Sequence, residues 1–218
     1  MNFIELALSI MPELLKGALV TLELVCICIT IGFFLGILLA ITRIYGNRFI
    51  SNTTSAYVAL MRGTPLLVQL FILYYGLPHI GLSLPSFLAA IIGISLNSAA
   101  YQSEYFRGAI QAVKSGQMIA ARSIGMSKFK AVRYIILPQM IRIVIPSWSN
   151  ELIYMIKYSS IAYMIQTPEL MAAGKFIAST NFRTFEVFLV VAFIYLVIVI
   201  FASKSLSTVE LKLKVPGL

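Results

Sequence analysis

No aspartate occurs in this chain, and its single histidine, His79, stands alone. The eight acidic residues are all glutamates, against 17 lysines and arginines. A metal-binding cluster of carboxylates and imidazoles therefore lacks most of its possible members. The chain also lacks a GxxxxGK(S/T) phosphate loop, an HExxH and a GxSxG, which removes any recognisable means of hydrolysing ATP, peptides or esters. Cysteine is nearly absent. Cys26 and Cys28 fall two apart, on different faces of a helix, and read as small apolar residues rather than a disulfide. Charge of any kind is scarce, at 11% of residues, while 60% are hydrophobic and the mean hydropathy is +0.92. Soluble domains carry about a quarter charged residues, so this is an integral membrane protein, and its net charge of +9 is no sign of nucleic-acid binding.

What is present is long uncharged sequence. Crossing about 30 Å of hydrocarbon takes roughly 20 helical residues. Leu24 to Thr42, most of Gly63 to Ser103, and Val187 to Ser203 with its flanks meet that length. The second stretch is too long for one crossing, and LPHIGLSLP (Leu77 to Pro85) divides it with a turn. A further, less apolar span falls near Ile141 to Met164, interrupted by Arg142, Glu151 and Lys157. The expectation is an all-α membrane protein, one domain over 1–218, with five spans at 16–42, 53–76, 85–108, 139–164 and 184–204. The N-terminal MNFIELALSIMPELL reads as an amphipathic lead-in helix rather than a removable signal. One set of loops holds Arg43, Arg48, Arg107, Lys114, Arg122, Lys128, Lys130, Arg133, Lys204, Lys212 and Lys214. The other holds only Lys16, Lys175 and Arg183. This asymmetry predicts an N-terminus outside and a C-terminus inside.

Polar residues at membrane depth are costly and mark function by default. The midpoints of the third and fourth spans bring Asn97 and Ser98 level with Asn150 and Glu151. Asn97 shares a helical face with Tyr101, Ser98 with Gln102, and Glu151 lies one turn from Tyr154. In the second span, Arg62 precedes Gly63, Thr64 and Pro65, where the missing proline N–H predicts a local break facing a cavity. A cation at Arg62, a carboxylate at Glu151 and amides and hydroxyls between them suit a zwitterion. The competing reading is that Arg62, Glu151 and Lys157 pair with one another for packing alone. Glu104, one turn from Arg107, is expected to form a local ion pair at the inner mouth.

Between the third and fourth spans, the loop at 109–138 is too patterned for a linker. Ala120, Ala121 and Ile124 favour a short helix, Gly125 suits a left-handed cap, and Ser127 suits the N-cap of a second helix that Pro138 ends or kinks. Lipid headgroups account for the basic charge but not for the corner, which reads as a docking elbow.

AAxxxG, nine residues, then IxLP (Ala120, Ala121, Gly125, Ile135, Leu137, Pro138) resembles the EAA loop of ABC importer permeases. RGTPLLVQLFILYYGLP (Arg62 to Pro78), SLNSAAYQSEYFRGAIQAV (Ser95 to Val113), SNELIYMIKYSSI (Ser149 to Ile161) and NFRTFEVFLVVAFIYLVI (Asn181 to Ile198) resemble the polar amino-acid permeases of the histidine, glutamine, arginine and glutamate type. The resemblance implies a paired permease, identical or paralogous, two ATPase subunits that carry the ATP and Mg, and an extracytoplasmic amino-acid-binding protein, assembled in the cell membrane. No cofactor is expected in this chain. It also implies a midplane substrate site, for which the candidates are Glu151, Asn97, Ser98, Arg62, Thr64, Tyr101, Asn150 and Tyr154. ATPase coupling falls to Met118, Ile119, Ala120, Ala121, Arg122, Ile124, Gly125 and Met126. The sequence departs from the family pattern at Ile119, where Glu is usual, and at Ser149 and Tyr158, where Gly and Asp are usual. Docking is accordingly expected to be apolar, through Met118, Ile119, Ile124 and Met126. A passive facilitator with a lipid- or regulator-binding loop is the alternative.

Overall fold

The computed structural model describes residues 2–113 and 115–213, and every regular element among them is helical. Lys114 and Lys214, two of the cations counted for orientation, lie outside the described residues. Asn2 opens α1 (Phe3–Tyr45) with a reciprocal cap: its side chain accepts from the Glu5 N–H at 2.9 Å, and the Glu5 carboxylate accepts from the Asn2 N–H at 3.1 Å. The helix then runs for 43 residues without interruption, about 65 Å at 1.5 Å per residue. The lead-in and the first span, expected as separate elements, are therefore one helix.

This helix is the spine of the fold. The others are α2 (Arg48–Gly63), α3 (Leu66–Phe71), α4 (Ser86–Ala112), α5 (Ser115–Ser123), α6 (Lys128–Ala131), α7 (Leu137–Tyr158), α8 (Leu170–Asn181) and α9 (Thr184–Leu213). Leu6, Ile10, Leu14 and Ala18, four residues apart and so on one face, pack against Leu170 and Ile177 of α8 and Val187, Val191 and Ile194 of α9. Further along, Leu24, Val25, Cys28 and Ile29 meet Ala89, Ala90 and Ile94 of α4 and Met155 of α7. Ala40 then meets Phe106, Ala109 and Ile110 of α4 and Met140 and Val144 of α7. Both cysteines are free, Cys28 buried and Cys26 exposed.

Helices α1 and α4 approach most closely at Gly32 and Gly36, a GxxxG pair. A Cβ on Gly32 would stand 2.5 Å from the Gln102 Nε2, and one on Gly36 would stand 3.0 Å from the Gln102 Cβ and 3.2 Å from the Ala99 carbonyl.

The break at Gly63–Pro65 is far larger than a local kink. Arg48–Gly63 and Leu66–Ile80 diverge by 101°. Beyond it, a wide π turn over Ile72–Gly76 precedes Pro78, and a second one over Val132–Ile136 precedes Pro138. A proline ring collides with the carbonyl four residues earlier, here Tyr74 and Tyr134, and both carbonyls sit inside a widened turn that relieves the clash. So Pro138, expected to end or kink its helix, is passed: α6, the π turn and α7 are continuous.

Before α6 the chain turns sharply. Gly125 is left-handed at φ +85, the Met126 N–H reaches the Ala121 carbonyl at 3.1 Å and the Gly125 N–H reaches the Arg122 carbonyl at 3.1 Å, a Schellman cap. Ser127 then caps α6 by accepting from the Lys130 N–H. Lys128 Nζ donates to the Tyr45 carbonyl at 2.9 Å, tying this corner to the C-terminal end of α1.

The glycine contacts generate a direct expectation. Gly36→Val should lower stability by about 1–3 kcal/mol through overpacking, read by thermal unfolding in detergent. Gly108→Ala, whose added Cβ meets nothing within 4 Å, should leave stability unchanged or raise it.

Candidate functional site

Helix α4 supplies the rigid side of the site. Its register puts Asn97, Tyr101 and Tyr105 on one stripe at i, i+4 and i+8, with Ser98 and Gln102 on the next. Helix α7 brings Glu151, Tyr154 and Tyr158 to face them. Asn97, Tyr101, Tyr105, Glu151, Tyr154 and Tyr158, with Leu66 and Ile161, line a cavity of about 350 Å³. That volume lies within the range of small-molecule sites.

Glu151 is 3% exposed. Its Oε1 accepts from Ser98 Oγ at 2.9 Å and Tyr158 Oη at 3.1 Å, and its Oε2 accepts from Tyr105 Oη at 3.3 Å. A donor chain stands behind Ser98: Trp148 Nε1 donates to Gln102 Oε1 at 3.0 Å, and Gln102 Nε2 donates to Ser98 Oγ at 3.0 Å. Indole N–H only donates, so it sets the polarity of the whole relay, and the Ser98 hydroxyl proton must point at the carboxylate. Among the described residues no lysine or arginine lies within ion-pair distance of Glu151. A buried carboxylate held only by neutral hydroxyls is solvated in part and uncompensated in charge.

The cations expected to pair with it are elsewhere. Arg62 lies 3.9 Å from Glu104 and 5.2 Å from the Tyr101 ring centroid, and Lys157 Nζ lies 4.5 Å from the Tyr154 ring centroid. So Arg62, Glu151 and Lys157 do not pair with one another. Glu104 is bonded twice by Arg107, at 2.7 and 2.9 Å, as expected, and also by Arg43.

Of the expected site residues, Glu151, Asn97, Tyr101 and Tyr154 share the cavity, and Ser98 lies behind it, holding Glu151. Thr64 stands at the α2–α3 corner, where its hydroxyl accepts from Gln69 Nε2 at 2.8 Å. Asn150 is not brought in: it is exposed on another face of α7, because neighbouring helical residues point about 100° apart. The expectation also leaves out Tyr105, Tyr158, Gln102 and Trp148, although the spacing from Asn97, Ser98 and Glu151 marks the first three. Glu169 is a second carboxylate it passes over. Fully buried, Glu169 caps α8 through the Met171 and Ala172 N–H groups and accepts from Tyr195 Oη at 2.9 Å, joining α8 to α9. Among the expected coupling residues, Ile119 and Ile124 are 66% and 78% exposed. Ala120, Arg122 and Gly125 are exposed with them, Met118 and Met126 are half-buried, and Ala121 is buried.

A bundle of long apolar helices around a pocket that none of the described lysines or arginines lines is the architecture of a membrane protein with a polar internal site. The family described as binding-protein-dependent transport system inner membrane component matches residues 32–214. The probable amino-acid ABC transporter permease protein PatM of Vibrio harveyi is 40% identical over 209 residues, 94% of each chain. The nopaline transport system permease protein NocM of Agrobacterium fabrum is 38% identical, over 95% of this chain and 90% of that one. The crystal structure of an amino acid ABC transporter with histidines superposes with a TM-score of 0.89 at 37% identity, covering 97% of this chain and 99% of that one. The inward-facing MetNI methionine ABC transporter has the same fold at 20% identity, with a TM-score of 0.80 over 95% of this chain and 99% of that one. The chain belongs to the family of binding-protein-dependent transport system inner membrane components. It is the permease subunit of an ABC importer, a class that works with a separate ATPase and binding protein, and the passive-facilitator alternative finds no support.

Ser98→Ala removes the shortest donor to the buried carboxylate and should lower stability by about 1.5–3 kcal/mol. Asn150→Ala should shift it by less than about 0.5 kcal/mol. Thermal unfolding of the two variants in the same detergent separates the buried Ser98–Glu151 contact between α4 and α7 from the exposed face of α7.

Proposed function

We propose that this permease carries a polar amino acid, basic ones preferred, across the cytoplasmic membrane by alternating access. The observation that carries the reading is Glu151: a buried carboxylate on a cavity wall, held by three hydroxyls and matched by no cation of its own. An ammonium or guanidinium entering the cavity supplies the missing charge, with four tyrosine rings to pack on its apolar part. The name of PatM, together with the solved amino acid ABC transporter with histidines, supports an amino-acid cargo.

In this reading the chain crosses the membrane five times, at the residues given above, with the N-terminus outside. The longest apolar helices, α1 and α9, and the bent pair of α2 with Leu66–Ile80 form three of the crossings, and α4 and α7, which carry the polar site, form the other two. The 109–138 loop then lies inside. There the Schellman corner at Gly125 presents Ile119 and Ile124, flanked by Met118 and Met126, to a groove in the ATPase. Two such permeases, two ATPases holding ATP and Mg, and an external binding protein complete the machine. ATP-driven closure of the ATPases moves the elbows, and the paired bundles rock about the cavities.

Glu151→Gln in a reconstituted permease–ATPase complex, supplied with its binding protein, should cut ATP-dependent uptake of L-arginine at least tenfold with assembly intact; unchanged uptake removes Glu151 from the site. Ile119→Ala should uncouple ATP hydrolysis from uptake, and a complex whose ATP consumed per amino acid moved stays as before rules out apolar docking there.

A further inference from the structure

Pro65 leaves a specific group without a partner. In a continuous helix the Met61 carbonyl would accept from the N–H of residue 65, and proline has none. Two side-chain amides take its place: Gln69 Nε2 donates to the Met61 carbonyl at 2.9 Å, and Asn97 Nδ2 donates to it at 3.0 Å. Gln69 Nε2 also stands 3.1 Å from the Thr64 carbonyl and 2.8 Å from Thr64 Oγ1, so its two hydrogens are shared among three acceptors. With its amino group spent on that corner, Gln69 turns its Oε1 to Asn97, which donates from Nδ2 at 3.1 Å.

The consequence falls on Asn97. Both hydrogens of its amide are taken, one by a backbone carbonyl and one by Gln69. A carbonyl cannot donate, so the atom facing Met61 has to be nitrogen, which fixes the orientation of the amide. Asn97 Oδ1 accepts no hydrogen bond among the described residues, yet the sealed polar atoms without partners are the Ser95 and Ser149 hydroxyls. Oδ1 is therefore open, on a residue that lines the same cavity as Glu151.

We infer that Gln69 is a positioning residue: it locks the Asn97 side chain so that the cavity presents an acceptor, beside Glu151, to the ammonium or guanidinium of the substrate. Gln69 itself is not among the cavity-lining residues, so it acts through Asn97. This assignment rests on the reading of the cavity as the amino-acid site. It adds that the pocket selects for donors with two acceptors held at fixed orientation, and that the break at Pro65 is what sets one of them.

The test is equilibrium dialysis of radiolabelled L-arginine against the purified permease–ATPase complex in nanodiscs, without binding protein. Gln69→Leu takes away both the donor and the acceptor, and should weaken L-arginine binding about tenfold while the complex assembles and retains basal ATP hydrolysis. Gln69→Glu keeps an oxygen for Asn97 to donate to, and should bind within about threefold of the unaltered complex. Were Gln69 needed only to satisfy the corner carbonyls, Gln69→Glu would be as damaging as Gln69→Leu, the loss would appear in assembly, and the complex that did assemble would bind arginine normally. That result, or tenfold weakening in both variants alike, overturns the assignment. Failure of the cavity reading looks different: Glu151→Gln then binds L-arginine as tightly as the unaltered complex, or the unaltered complex binds none, whatever Gln69 does.

Discussion

A backbone carbonyl or N–H that leaves water must find its partner inside the protein, and this constraint shapes nearly every irregular feature of the chain. Four of its responses are visible. At Pro78 and Pro138 the helix widens into a π turn and continues. At Gly125 a pair of backbone bonds closes the end of α5. At Pro65 the chain bends by 101° and side-chain amides from Gln69 and Asn97 cover the carbonyl that the proline strands. At the first three, side chains help only from nearby in the chain, His79 at the Tyr75 carbonyl, Gln139 at the Ile135 carbonyl and Arg122 at the Met126 carbonyl, and none of these lines the cavity. The fourth recruits Asn97 from another helix, and it stands at the edge of the cavity. A requirement of solvation has thereby become part of the site.

The carboxylate of Glu151 obeys the same constraint with a different balance. Three hydroxyls and the relay from Trp148 through Gln102 and Ser98 offset part of the cost of burial, and no cation offsets the rest. Were Arg62 or Lys157 to pair with it, the site would be complete without a ligand and would gain little by binding one. Instead each of these cations lies against an aromatic ring at the rim. The wall that carries the relay is rigid for a packing reason: Gly32 and Gly36 let α1 lie against α4 at the level of Gln102, so the donor chain is clamped from behind.

Much of this was legible in the sequence where a single residue decides the outcome. Gly125 and Ser127 announce the elbow because left-handed φ and N-capping are nearly private to such residues. That Asn97 and Ser98 meet Glu151 follows from counting residues between the expected span ends. Depth does not fix face, however, and Asn150, at the correct level, points away. The size of the bend at Pro65 was not legible, since a missing N–H says that a helix breaks but not how far the chain turns. Nor was the partner of Arg62, because Glu104 meets it only once α2 packs alongside α4, where Tyr57 donates to the Leu96 carbonyl. The continuity of α1 was hidden by the polar residues of its first turns, which read as a separate element until α8 and α9 are there to cover Leu6, Ile10 and Leu14. GFFLG was available as a contact signal, but its partner is a face of α4 that only the packed fold identifies.

The cluster at Glu104 has a mechanical side. Arg43 belongs to α1 and Arg107 to α4, the two helices clamped by Gly32 and Gly36, whereas Arg62 belongs to the last turn of α2, just before the bend. Glu104 thus has two guanidinium partners from the α1–α4 pair, and the third, from α2 at 3.9 Å, is the loosest held. Losing the Arg62 contact would therefore strand no carboxylate, and α2 is held to α1 and α4 by other bonds, from Ser51 to the Arg43 carbonyl and from Tyr57 to the Leu96 carbonyl. The cluster is a redundant clasp: two bonds from α1 and α4 carry the charge balance, and the third from α2 only adds to it.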